Sequence, residues 1–270
     1  MNFIPELDKV GGKLKEILIY KQTELAKRQK DLPLEELKKA LSAQNSAERD
    51  FIGALKKSRG LGLIAEVKKA SPSAGQINVR VDVARQAKQY EKFGANAISV
   101  LTDEKFFSGK LEFIKQIKAE VNLPVLRKDF IFDPYQVYES KLAGADAILL
   151  ITTILSLDNL RALYNLAHEL GLQCLVEAHI QEDLQKALAI DARLIGINAR
   201  DLQSFEVSLD NFVKLAGNVP PDKLLVAESG IFGRLDALKV KSAGAKAILV
   251  GTSLMRADNL EEKIKELKLL

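Results

Sequence analysis

Cysteine is nearly absent from the chain, with Cys174 alone among 270 residues. A single cysteine excludes an intrachain disulfide and is typical of a reducing compartment, so a cytoplasmic location is expected. The apolar residues near Cys174 favour a buried strand thiol over a nucleophile. No stretch reaches the roughly 18–20 uncharged apolar residues of a membrane helix, and no secretory leader is recognisable, so no membrane partner is expected.

Neither sign of charge predominates, because the chain has 40 Lys and Arg residues and 36 Asp and Glu residues, for a net charge of +4. No concentrated basic stripe is present, so nucleic acid is not an expected partner, whereas a small anionic ligand is. The sequence has no Walker loop and no His, Cys and Asp cluster at ligand spacing, and therefore predicts no metal site. We expect a monomer or a weak homodimer.

From about residue 61 onward, short apolar runs alternate with amphipathic stretches. The runs predict strands near residues 63–67, 97–101, 125–127, 147–151, 173–176, 194–197, 224–227 and 247–250. The amphipathic stretches predict helices over residues 83–93, 112–120, 134–142, 157–170, 181–189, 209–215, 234–242 and 260–269. Eight strand–helix units imply a parallel sheet and are the number that closes a (β/α)₈ TIM barrel. An open doubly wound sheet is the alternative, but no Gly-x-Gly-x-x-Gly follows the first strand.

The first 60 residues fall outside this alternation and are predicted to be helical. The pattern indicates a helix over residues 7–30, a second from 34 to 41 and a short piece at 51–55. No linker rich in Gly, Pro or Ser separates them from the barrel. We therefore predict one α/β domain over residues 1–270, with a helical extension (1–60) that plugs one end of the barrel (61–270).

Polar and charged side chains stand where several predicted strands end. In a closed barrel these ends meet at one face, where working residues are found. Lysines, arginine and glutamates in such a pocket shift one another's pKa values, which suits acid–base chemistry, although structural ion pairs are the alternative for each residue alone. These side chains are Glu66, Lys68, Lys128, Glu177, Asn198, Arg200 and Glu228. His179 follows Glu177 by two residues and is expected near the pocket but outside the reacting groups.

Two loops have the composition of a phosphate site. Ser229 and Gly230 follow the seventh barrel strand, and Gly251 and Thr252 follow the eighth. Glycine allows the backbone to approach an anion, and hydroxyls donate to its oxygens. Barrel phosphate sites commonly occupy these two loops. The loop after the first strand, which carries Ser71, is predicted to be a mobile flap near the same anion.

Seven segments of the chain together resemble the indole-3-glycerol phosphate synthase family of tryptophan biosynthesis. The Glu-x-Lys-x-x-Ser-Pro-Ser element that begins at Glu66 is the most specific of them, whereas Glu-Ser-Gly-Ile at 228–231 is shared more widely among phosphate-binding barrels. The resemblance runs in order from about residue 61 to the end, and the helical extension is also similar. The segments are 64–73, 100–109, 126–131, 175–177, 196–202, 227–231 and 249–255.

The resemblance implies ring closure of 1-(2-carboxyphenylamino)-1-deoxyribulose 5-phosphate to indole-3-glycerol phosphate, with loss of CO₂ and water and without cofactor or metal. It implies that Lys128 is the general acid at the carbonyl oxygen and that Glu177 is the general acid or base of the later dehydration. Lys68 would attract the carboxylate or help expel the hydroxyl, with Glu66 holding both lysines.

The resemblance also implies binding roles. Asn198 and Arg200 would contact the anthranilate carboxylate and sugar hydroxyls, and Glu228 a hydroxyl. The phosphate would lie against Ser71, Ser229, Gly230, Gly251 and Thr252, and the anthranilate ring between Phe107, Phe130 and Leu202. The chain departs from the family pattern at Ala74, Ala199 and Thr252, none of them a predicted acid or base.

Two other functions remain open on the sequence alone. A related phosphate-binding barrel enzyme, such as phosphoribosylanthranilate isomerase, would need a cysteine or an aspartate pair in place of the lysine on the third barrel strand. A binding protein that has lost catalysis would have no need of glutamates facing lysines. Turnover of the anthranilate sugar phosphate separates all three.

Overall fold

The helical extension begins later than its sequence pattern predicts. A computed structural model describes residues 3–44, 48–71, 75–76, 81–201 and 206–270. A short 3₁₀ turn at Leu7–Lys9 precedes helix α1 (Gly12–Asp31), which is followed by α2 (Leu34–Ser42) and α3 (Phe51–Lys56). Gly12 has a φ of +53°, a value that the interior of a right-handed helix does not allow. The predicted helix from residue 7 is therefore interrupted at this glycine.

Eight parallel strands close into a barrel, which confirms the predicted fold class. Strand β1 pairs with β10 on one side and with β4 on the other, so the sheet has no free edge. A small antiparallel pair, β2 with β3, lies outside the barrel and was not predicted. The strands are β1 (Gly62–Val67), β2 (Ala70–Ser71), β3 (Gly75–Gln76), β4 (Ala97–Leu101), β5 (Val125–Lys128), β6 (Ala147–Ile151), β7 (Gln173–Ala178), β8 (Leu194–Asn198), β9 (Leu224–Glu228) and β10 (Ala247–Val250).

Helices follow each barrel strand, and eight of them lie where the amphipathic pattern predicts. Asp133 shows how the chain starts one of them: its side chain accepts the backbone N–H of Tyr135 and closes a capping box with Gln136, ahead of Pro134;. The short helices α5 and α12 were not predicted. The helices are α4 (Val83–Lys92), α5 (Glu104–Phe107), α6 (Glu112–Glu120), α7 (Pro134–Leu142), α8 (Leu157–Glu169), α9 (Gln181–Ala189), α10 (Leu209–Ala216), α11 (Arg234–Ser242), α12 (Thr252–Met255) and α13 (Leu260–Lys268).

The extension reaches both ends of the barrel. Lys21 of α1 forms ion pairs with Asp103 and Asp129, which lie in the loops after β4 and β5, so this helix runs along the carboxyl ends of the strands. At the opposite end, the backbone N–H of Ile52 in α3 donates to Gln173, the first residue of β7. The extension thus contacts the barrel at both ends. In the part of the chain that the structure describes, no helix is long and apolar enough to span a bilayer.

Candidate active site

The carboxyl ends of the barrel strands surround a cavity of about 360 Å³. Its lining includes every predicted site residue except two, Ser71 and Leu202, because the side chain of Ser71 and all of Leu202 lie outside the described part of the structure. Ala74 also lies outside it. The predicted residues that line the cavity are Glu66, Lys68, Phe107, Lys128, Phe130, Glu177, Asn198, Arg200, Glu228, Ser229, Gly230, Gly251 and Thr252.

Lys128 and Glu177 meet across the base of this cavity. They end β5 and β7, on either side of β6, and the Lys128 Nζ lies 3.0 Å from Glu177 Oε2. Burial opposes the charge on Lys128, but Glu177, Glu228 and Glu66 outweigh burial and raise the lysine pKa above its usual value. Burial also opposes ionisation of Glu177, yet Lys128 and His179 hold its pKa well below the usual value. The pair is therefore an ammonium and a carboxylate.

Glu228 completes a triangle of titratable groups with this pair. Its Oε2 lies 3.4 Å from the Lys128 Nζ, and its side chain is almost completely buried. Burial raises the pKa of Glu228 well above its usual value, and the nearby carboxylate of Glu177 raises it further. Two carboxyl groups beside one ammonium cannot both ionise cheaply, so Glu228 holds its proton more tightly than Glu177 does.

A second ion pair lies on the first strand. Lys68 and Glu66 point to the same face, two residues apart, and the Lys68 Nζ lies 2.7 Å from Glu66 Oε2. Gly251 allows this arrangement, since a Cβ at that position would overlap Glu66 Oε2. The cavity thus contains two lysine–glutamate pairs on different strands.

Two loops form the rim where phosphate was predicted, and the first of them has an unusual backbone. Ser229 and Gly230 both have positive φ, of 65° and 73°. A Cβ on Gly230 would come within 2.7 Å of Val207 Cγ1, so glycine is required for space as well as for conformation;. Ser253 joins the two loops by donating its hydroxyl to the Ile231 carbonyl at 3.1 Å.

Aromatic and amide side chains occupy other parts of the cavity wall. The rings of Phe107 and Phe130 lie 6.1 Å apart at an interplanar angle of 43°. Their faces provide an apolar surface suited to a planar ring. Asn198 Oδ1 accepts the backbone N–H of Arg200 at 3.0 Å, which fixes the orientation of the amide. Burial lowers the pKa of Arg200 relative to its usual value.

The family model of indole-3-glycerol phosphate synthase matches residues 14–267, nearly the whole chain. The chain belongs to the indole-3-glycerol phosphate synthase family. This assignment confirms the resemblance read from the sequence, and with it the predicted activity, that of a carboxy-lyase in tryptophan biosynthesis acting on a small phosphorylated substrate.

Curated relatives agree with the family. Indole-3-glycerol phosphate synthase of Rhodopirellula baltica is 47% identical over 254 residues, 94% of this chain and 98% of that protein. The enzyme of the same name from Priestia megaterium is 53% identical over 226 residues, covering 83% and 89%. A solved structure of thiamine phosphate pyrophosphorylase from Pyrococcus furiosus has a TM-score of 0.56 at 16% identity and covers 77% of this chain and 94% of that one. This likeness concerns the fold alone.

Several side chains that line this cavity were not predicted from the sequence. Leu14 and Ile17 reach it from α1, Asp129 lies beside Lys128, and Phe232 and Arg256 stand at the rim. The periodic apolar face of α1 predicts that this face is buried but not which surface covers it. The sequence therefore does not indicate that Leu14 and Ile17 reach the cavity. Arg256 follows the predicted Gly251–Thr252 loop closely and could have been found as an added cation there.

No metal centre is apparent in the described ranges. They contain no group of three or more His, Cys, Asp or Glu side chains arranged to hold a metal ion. Cys174 is buried at the start of β7, and burial raises the pKa of its thiol well above the usual value. Its thiolate is therefore disfavoured, in agreement with a structural role.

Proposed function

We propose that this cavity closes the indole ring of 1-(2-carboxyphenylamino)-1-deoxyribulose 5-phosphate, with Lys128 as the general acid. One observation carries the proposal: the Lys128 ammonium lies 3.0 Å from Glu177 in a cavity whose rim carries two loops suited to phosphate. A raised lysine pKa keeps the proton on Nζ until the substrate carbonyl oxygen gains negative charge;.

The first step is carbon–carbon bond formation. The ring carbon that bears the carboxyl group attacks the sugar carbonyl carbon, whose oxygen takes the Lys128 proton and becomes a hydroxyl. Departure of CO₂ then returns an electron pair to the ring. Arg200 and Asn198 hold the carboxylate and sugar hydroxyls, while the rings of Phe107 and Phe130 hold the anthranilate plane.

Dehydration follows in the same cavity. The hydroxyl leaves as water when a proton is supplied, and loss of a second proton completes the indole. Glu177 serves this step as acid or base, and Lys68, fixed by Glu66 at 2.7 Å, helps to expel the hydroxyl. Glu228 holds a sugar hydroxyl. Ser71, Ser229, Gly230, Gly251 and Thr252 hold the phosphate, and Leu202 contacts the anthranilate ring.

The test is the Lys128→Ala variant. Because the variant lacks the positioned acid, we expect kcat to fall about 10²–10⁴-fold with the fold intact. Indole absorbance measures turnover and circular dichroism measures folding. Lys115→Ala, which removes an exposed lysine from α6, is the matched control and should keep the wild-type kcat. A Lys128→Ala variant as fast as wild type would end the proposal.

We further propose that the protein works in the cytoplasm as a monomer or weak homodimer, as one domain over residues 1–270 and without nucleic acid. The single cysteine and nearly balanced charge support this;. The ion pairs of Lys21 with the barrel loops support one domain. Sedimentation velocity with and without duplex DNA tests the partner statements, and a stable tetramer or a DNA complex would contradict them.

A further inference from the structure

A histidine lies behind Glu177, on the side away from Lys128. His179 extends from the end of β7, is nearly buried, and places its Nε2 3.2 Å from Glu177 Oε1. Glu177 Oε2 accepts from Lys128. The two oxygens of Glu177 therefore face different titratable groups, one toward the cavity and one toward the histidine.

The hydroxyl of Thr153 fixes which nitrogen of the histidine carries a proton. Thr153 Oγ1 lies 2.6 Å from Asp183 Oδ2 and 3.2 Å from His179 Nδ1. Asp183 Oδ2 also accepts the backbone N–H of His179 at 3.2 Å, so this oxygen is an acceptor toward both neighbours. The single hydroxyl proton thus goes to Asp183, and Thr153 must accept a proton from Nδ1.

This leaves Nε2 facing a carboxylate. If His179 carried only its Nδ1 proton, the Nε2 lone pair would lie 3.2 Å from the ionised Glu177 Oε1, an acceptor against an acceptor;. A proton between the two atoms removes this conflict. Nε2 is shielded from solvent and makes no aligned hydrogen bond within the described residues, so Glu177 is the neighbour with which it can exchange a proton.

The other groups around the ring do not alter this reasoning. Charged groups facing it are Glu177 on its own strand and Asp183 on α9, whose Oδ2 lies 3.9 Å from Nδ1. Thr153, beyond β6, and Asn211 on α10 are uncharged, and Asn211 donates to the His179 carbonyl at 3.0 Å. Both charged neighbours are carboxyl groups, and the two uncharged ones contact Nδ1 and the backbone carbonyl, not Nε2.

We propose that His179 and Glu177 share one proton, and that His179 is a positioning residue which stores it for the dehydration step. At rest the proton is on Nε2 and Glu177 is ionised. When the leaving hydroxyl needs a proton, the Nε2 proton moves to Oε1, and rotation of the resulting carboxyl group about its Cγ–Cδ bond turns that O–H into the cavity. The proton then passes to the hydroxyl, which departs as water. The imidazole is left neutral and still donates its Nδ1–H to Thr153. When the second proton is lost as the indole forms, Glu177 takes it up and passes it back to Nε2. The inference rests on the proposed role of Glu177.

Nitrogen NMR of the free enzyme tests the proton's position without any turnover. The chain contains only two histidines, so His168→Gln leaves a single imidazole to observe. His168 lies on α8 with Nδ1 2.8 Å from the Tyr164 carbonyl oxygen and is not among the residues that line the cavity, so this variant should keep the wild-type kcat. At pH 7 we expect protons on both nitrogens of His179, and on Nδ1 alone after the further change Glu177→Gln. A resting imidazole with bare Nε2 would overturn the inference.

Kinetics test whether the stored proton matters. His179→Gln keeps an N–H donor near Glu177 but cannot transfer a proton, whereas His179→Asn keeps a donor near Thr153 only. We expect kcat to fall about 10–100-fold in both, below the effect of removing the acid itself, with KM nearly unchanged. The acid limb of the kcat profile should move to higher pH, because the positive charge favouring ionised Glu177 is gone.

The outcomes separate the inference from the function on which it rests. A purely structural histidine would lower the melting temperature and leave the shape of the pH profile unchanged, and that result overturns the inference. Full rescue of kcat and of the pH profile by His179→Gln would also overturn it, because an amide would then suffice. Absence of turnover by the wild-type enzyme would refute the proposed function, whereas the NMR result would stand.

Discussion

At the scale of the residue, the charged strand ends were predictable but their pairing was not. The strand pattern placed Lys128 and Glu177 at the same face, since parallel strands end together. Which carboxylate each lysine meets depends on the width of the barrel and on side-chain reach. Gly196 shows what the sequence could not predict. It looks like an ordinary strand residue, yet a Cβ at this position would overlap Glu228 Oε1. Only the folded sheet shows that this position must be glycine.

The buried acid Glu228 should make the protein less stable as pH rises. Because its pKa is raised, Glu228 keeps its proton to higher pH in the folded state than in the unfolded chain, where glutamates have a pKa of about 4.3;. The folded state thus binds more protons above that pH, and the free energy of unfolding falls with rising pH until the folded pKa is passed.

The Glu228→Gln variant should not show this fall in the free energy of unfolding with rising pH, because its amide does not ionise. Compared with wild type, its free energy of unfolding should rise from about pH 4.3 upward, by at most ~1.4 kcal/mol per pH unit. Urea unfolding at several pH values measures the difference. Glu112→Gln, an exposed position on α6, should give a curve parallel to wild type. A parallel curve for Glu228→Gln would show that Glu228 is ionised in the folded protein.

At the scale of the element, long periodic segments were predicted and short ones were missed. The barrel strands are continuous apolar runs that are almost entirely buried, which is the pattern of a parallel sheet covered on both faces;. Helices α5 and α12 have four residues each, about one turn, which is too short to show a period;. The pair of β2 and β3 has two residues per strand, too few to show an alternating pattern;.

Helix α1 is fixed to the barrel by a buried charge. Lys21 is nearly inaccessible, and its Nζ lies 2.8 Å from Asp103 and 3.1 Å from Asp129. Burial opposes its charge, but these carboxylates outweigh burial and raise the lysine pKa. Asp129 would keep its ion pair with Arg127, but removing the lysine would take from Asp103 the cation beside it in a dry environment, which typically costs about 3–5 kcal/mol;.

We therefore expect Lys21→Met, which keeps most of the side-chain volume, to lower the free energy of unfolding by about 3–5 kcal/mol. Urea denaturation followed by circular dichroism measures the change. Lys38→Met on α2 is the matched control, because its pair with Glu35 is exposed, and it should leave the free energy of unfolding near the wild-type value;. Equal small losses in both variants would mean that Lys21 does not hold α1 to the barrel.

At the scale of the whole molecule, the mild positive charge acts together with the cations at the cavity. The net charge is +4, and Lys68, Arg200 and Arg256 line the cavity. The proposed substrate carries a carboxylate and a phosphate. Opposite charges accelerate encounter, and this attraction extends about 30 Å in 0.01 M salt but only about 10 Å in 0.1 M salt.

Raising the sodium chloride concentration should therefore lower kcat/KM by a few-fold while leaving kcat unchanged, because salt screens the approach and not the bound complex. Initial rates measured across that range, with sodium acetate as a second salt, separate screening from competition by one anion. Arg256→Gln removes a cation from the exposed rim and should flatten the dependence. If kcat/KM were the same at all salt concentrations, attraction between the molecule's charge and the substrate would contribute nothing to capture, and recognition would lie entirely in the contacts made inside the cavity.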